Sequence, residues 1–155
     1  MTFTEELEIV LEKELTVLVE LKEIAFKKTD TIINNHIRNL EEITKQEETL
    51  INEMALLENE REKLLDTWGV AINTPISSVI ERITEDNSGL IRITEEMKEV
   101  MEELFLRNKL NNDLIKENLD WIDFNINLIT SAHTSPGYGK ENKKSSGNSI
   151  FDRKV

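Results

Sequence analysis

The stretch DTIINNHIRNLEEITKQEETLINEMALLENEREKLLDTWG, Asp30 to Gly69, decides the fold. Its apolar residues Ile33, Ile37, Leu40, Ile43, Leu50, Ile51, Met54, Leu57, Leu64, Leu65 and Trp68 recur mostly at three- and four-residue steps, the spacing that gathers side chains on one face of an α-helix. The near-heptad repeat holds over roughly five heptads, which is a coiled-coil signal, but Glu47 and Arg61 fall on the stripe. These two interruptions predict an imperfect antiparallel bundle, not a clean parallel zipper. Gly69 ends the helix.

Upstream, a first helix starts at Thr2 or Thr4, either of which can cap it, with Glu5, Glu6 and Glu8 well placed in its first turns. Leu7, Val10, Leu11, Val17, Leu18, Leu21, Ile24 and Ala25 keep the helical spacing, so one face is buried. At Lys27 to Thr31 two lysines suit a helix end while Thr29 or Asp30 suits a new start. The expected helices are therefore about 4–28 and 30–68, with a single continuous helix as the alternative.

Downstream, GVAINTPISSVIERITED reads as a loop and a short lid helix, about 75–85, with Thr74 as its cap and Pro75 at the first helical position. Ile76, Val79, Ile80 and Ile83 are its apolar side. A last long helix is expected over 88–131, roughly 60 Å at about 1.5 Å per residue. After His133 the chain turns rich in Ser, Gly, Asn and Lys, so 133–155 reads as a flexible basic tail behind a 1–132 helical bundle. The tail carries five Lys and Arg against two acids, a net of +3, which leaves −15 of the total −12 on the rest.

Composition agrees with an all-α protein and narrows its partners. Aromatics are 5% of 155 residues and charged residues 32%, while the 38% apolar content fills narrow helix seams more readily than a thick globular core. The net charge of −12 argues against a nucleic-acid partner, because phosphate binding needs clustered Lys and Arg. No transmembrane run occurs, and the N-terminus carries acids where a signal peptide carries a basic segment; a cytoplasmic protein is the simplest reading. Without Cys there is neither a disulfide nor a thiolate metal site.

No constellation for chemistry is visible. His36 and His133 belong to no HExxH or ExxH pair, so a helical zinc or di-iron site lacks ligands. The five glycines lie apart and form no phosphate-cradling loop. The abundant carboxylates read as solvated helix faces. The expectation is a protein that is not an enzyme and takes no cofactor or metal.

The last helix is the exception to this plainness. On a helical wheel Leu104, Asn108, Asn111, Ile115, Asn118, Ile122, Asn125 and Ile129 form one stripe, and Leu110, Leu114, Trp121, Phe124 and Leu128 a second. A third, Lys109, Asp113, Lys116, Asp120, Asp123 and Asn127, is solvated. Asn111, Asn118 and Asn125 stand seven apart and so stack on one face. A buried amide needs a partner, which can be a neighbouring helix of the same bundle or an incoming helix. Trp121 and Phe124 are either bundle core or an exposed strip rimmed with charge, the mark of a partner-binding site. With two other long helices and a lid to cover both stripes, the exposed strip is the expectation carried forward, with an amphipathic helix as its occupant.

The order of these segments resembles the FlgN-like flagellar export chaperones. The resemblance rests on the Glu-rich first helix and on Glu47-Glu48, Leu50 and Glu60-Arg61 in the second. It continues through the segment NTPISSVIERI, the Asn-rich LRNKLNNDLIKENLDWIDFNINLI, and a tail with Tyr138 in PGYG and the end SIFDRKV. It implies a cytoplasmic chaperone that holds the aggregation-prone terminal helical segment of hook-filament junction proteins (FlgK and FlgL) and presents it to the flagellar type III export gate. The residues carried over for partner binding are Asn111, Ile115, Asn118, Trp121, Ile122, Asn125 and Ile129. Tyr138 resembles a tail tyrosine that touches the export gate, or is a tail residue with no partner. The competing reading is a structural coiled-coil homo-oligomer or scaffold, in which the same faces pair with themselves.

Overall fold

The computed structural model describes residues 1–131. Four helices follow one another, α1 (Phe3–Ile33), α2 (Ile37–Thr67), α3 (Ile76–Glu81) and α4 (Ser88–Ser131), and no strand occurs among the described residues. The described residues divide into two units, Met1–Arg107 and the part of α4 from Asn108 onward.

Thr2, not Thr4, caps α1. Its hydroxyl accepts from the Glu5 backbone N–H at 3.2 Å and the Glu5 carboxylate accepts from the Thr2 N–H at 2.9 Å, a reciprocal capping box. Thr4 is buried instead, its hydroxyl donating to Glu85.

The break expected at Lys27–Thr31 is not there. α1 runs through it to Ile33, because the residues read as stop and start signals are occupied otherwise. The hydroxyls of Thr29 and Thr31 donate back to the carbonyls of Ala25 and Lys27 at 3.1 and 2.9 Å, and buried Lys28 pairs with Glu47. The turn falls at Asn34–Asn35–His36, where Asn35 takes a φ of 55° that its short polar side chain tolerates. His36 precedes the first residue of α2 and makes no side-chain capping bond.

α1 and α2 form an antiparallel hairpin, and the two charges that interrupt the α2 seam are its register marks. Arg61 donates to Glu14 at 3.3 Å and Lys28 to Glu47 at 3.4 Å. Moving fourteen residues up α1 from Glu14 to Lys28 moves fourteen down α2 from Arg61 to Glu47, so both pairs share one heptad position. Glu14 is fully buried, and its Oε1 has no hydrogen-bond partner. Burial raises the Glu14 carboxyl above its usual range, and Arg61 opposes that rise.

The core of the first unit gathers Leu7, Leu11, Leu18 and Leu21 of α1, Leu50, Leu57 and Leu65 of α2, Val79 and Ile80 of α3, and Leu90, Ile93, Met97 and Val100 of α4. Each such side chain stabilises the fold by about 1.5–3 kcal/mol when buried. The apolar face expected of α1 is buried throughout, whereas Ile33, Ile37, Ile51 and Trp68 of the expected α2 seam are exposed. The difference is positional: α1 is the middle helix. It meets α2 on one side and α4 on the other, through Glu12–Arg92 at 3.0 Å and Lys22–Glu103 at 3.1 Å. Arg107 adds a bond to the Thr29 hydroxyl at 3.4 Å and stacks 3.7 Å over the Phe26 ring.

α2 ends as a Schellman turn. The N–H of Val70 reaches the Leu65 carbonyl at 2.8 Å and that of Gly69 the Asp66 carbonyl at 3.0 Å, with Gly69 at φ 74°. The lid helix is shorter than expected, six residues with Pro75 as its capping residue, and it buries Val79 and Ile80. α4 then begins where Gly89 leaves room for the Glu8 carboxylate, close to the positive end of the helix.

Candidate functional site

The buried positions of α4 in the first unit, Leu90, Ile93, Met97 and Val100, follow the three-four spacing of a packed seam. In sequence that spacing goes on through Leu104, Arg107, Asn111, Ile115, Asn118, Ile122, Asn125 and Ile129. Within the first unit, partners on α1 and α4 differ by 78 to 81 in residue number, from Glu12–Arg92 and Lys22–Glu103 to Thr29–Arg107.

The seven residues expected to bind a partner fall into two groups by exposure. Asn111 and Ile115 are buried. Asn118, Trp121, Ile122 and Ile129 are exposed, Trp121 by 67% and Ile129 by 65%, and Asn125 is half-buried. The Asn stack is thus not one uniform surface. The Asn125 side-chain amide turns back to donate to the Trp121 carbonyl of its own helix at 2.7 Å, whereas Asn118, one heptad earlier, faces solvent.

Phe124, Ile126 and Leu128 are exposed alongside them. Their absence from the residues singled out for partner binding has a simple origin: the family pattern followed the Ile/Asn stripe, while the wheel itself already placed Phe124 and Leu128 with Trp121. In the first unit Met101, Phe105 and Leu106 form a second apolar outcrop on α4, flanked by Lys98 and Glu102. Spacing of four between 101 and 105 was the available signal. Tyr138 and His133 lie outside the described residues.

Chemically, the strip from Trp121 to Ile129 can adsorb apolar surface and little else. Among the described residues no group of three or more His, Cys, Asp or Glu is placed to hold a metal, and no helix is long and apolar enough to cross a membrane. Exposed apolar side chains cluster here on a helix whose opposite face carries Lys116, Asp120 and Asp123.

No curated protein and no solved structure matches the chain. A family model described as FlgN protein matches residues 1–146. With nearly the whole chain matched, and with the helical bundle and exposed terminal helix in place, the protein belongs to the FlgN family of flagellar chaperones.

Proposed function

We propose that this protein works in the cytoplasm as an export chaperone for hook-filament junction proteins of the FlgK/FlgL kind. It binds their terminal helical segment, prevents its premature assembly, and delivers it to the flagellar type III export gate. One observation carries the reading: six apolar side chains between Trp121 and Ile129 are exposed on the last helix. A client segment that polymerises outside the cell needs such a surface to cover it beforehand, and an amphipathic helix laid on an apolar strip is the recurrent solution. Tyr138 is assigned to gate docking, separate from client binding.

The test is co-purification with junction proteins encoded in the same genome, followed by titration calorimetry of wild type, Trp121→Ala and Ile122→Asp. A stoichiometric complex is expected, weakened at least 30-fold by either substitution, since a central aromatic anchor contributes about 2 kcal/mol or more. Helicity stays unchanged, because both positions are exposed. Full affinity in both variants would remove the site assignment. Sedimentation over a concentration range separates the homo-oligomer reading, which requires a tight dimer that protects Trp121 and ignores the client.

A further inference from the structure

The bare end of α4 is wider than one helix can cover. At about 100° per residue, Trp121, Phe124 and Leu128 centre on one direction, and Ile122, Ile126 and Ile129 on another roughly 130° away. Each set has the anchor spacing by which a helix docks, i, i+3, i+7 for the first and i, i+4, i+7 for the second. Between them runs the line of Asn118 and Asn125, whose polar amides split the surface into two lanes. A docked helix covers a face of about 100°, so a single one leaves half of these side chains in water.

Resting on the chaperone reading above, we infer that this surface takes two amphipathic helical segments of one client chain, one in each lane. The rims say what their flanks carry. Asp120 borders the Trp121 lane, Glu117 stands at that lane's N-terminal end, and Asp123 borders the Ile122 lane from the other side, so basic residues on the client flanks are complementary to both. In sequence, the Ile122 lane also keeps the three-four spacing of the packed positions Leu90, Ile93, Met97 and Val100, the spacing on which helices of this chain pack. Three side chains per lane make a small contact. Joining two lanes through one client makes the second docking event intramolecular and raises the affinity of the whole.

Hydrogen–deuterium exchange on a junction protein from the same genome, bound to the full-length chaperone, tests this. Phe124→Asp and Ile126→Asp are the informative variants, because they lie on opposite outer edges of the two lanes and both are exposed. Two separate client segments are expected to be protected at least tenfold. Phe124→Asp is expected to free one and leave the other, and Ile126→Asp the reverse. The alanine versions, with circular dichroism at 222 nm, control for loss of helix. One protected segment, deprotected by both variants, overturns the two-lane arrangement while leaving the chaperone reading intact. Failure of every junction protein to bind overturns both, and a client-free dimer that protects Trp121 and Ile129 together does the same.

Discussion

Ile93 and Ile129 are the same residue type on the same helix, at positions equivalent in the three-four repeat, yet Ile93 is 1% exposed and Ile129 65%. Truncation of each to alanine therefore measures coverage directly. Ile93→Ala removes buried methyl groups and leaves a cavity against the α1 and α2 leucines, a change that costs 2–5 kcal/mol in packed cores; about 3 kcal/mol is expected here. Ile129→Ala gives up almost no burial and gains a few tenths of a kcal/mol from the better helix propensity of alanine, so its net effect lies within about 0.5 kcal/mol of zero. In urea unfolding followed by far-ultraviolet circular dichroism, a slope of about 2 kcal/mol/M puts the Ile93→Ala midpoint about 1.5 M below wild type. The Ile129→Ala midpoint stays within about 0.3 M. A loss for Ile129→Ala above about 1.5 kcal/mol would mean that the strip is covered in the free protein, and the reasoning from a bare seam would fall.

The buried pair in the hairpin makes two further outcomes measurable. Arg61→Met leaves Glu14 wholly buried without its cation, and thermal unfolding is expected to show a loss of about 3 kcal/mol, whereas Glu14→Leu combined with Arg61→Met recovers most or all of it. A single-variant loss below about 1 kcal/mol would contradict the pairing. For pH, burial raises the Glu14 carboxyl, so the folded chain takes up its proton before the unfolded chain does. The stability tied to this group is therefore full below the ordinary value of 4.5 and is lost as pH rises through the raised folded value. Relative to Glu14→Gln, wild type is expected to gain thermal stability as the pH is lowered from 7 towards 4.5; parallel curves for the two proteins would refute the shift.

Much of this architecture is readable along the chain. The apolar spacing of α1 named its buried face, Gly69 marked the end of α2, and the two apolar stripes of the last helix announced more apolar surface than two other long helices and a lid were expected to cover. These features are local: helix periodicity, a residue that tolerates a positive φ, and stripe width depend on neighbours within a few positions.

What tertiary structure decided is where each helix stops and which stripe finds a cover. Lys28 and Thr29 look like a helix terminus until Glu47 and the Ala25 carbonyl claim them, and Glu47 and Arg61 look like flaws in a seam until α1 supplies Lys28 and Glu14 across from them. Ile115 is buried and Ile129 exposed although the helix treats them alike. Coverage depends on which other segments are brought against the helix. That is a property of two segments brought together, which no periodicity within either segment contains.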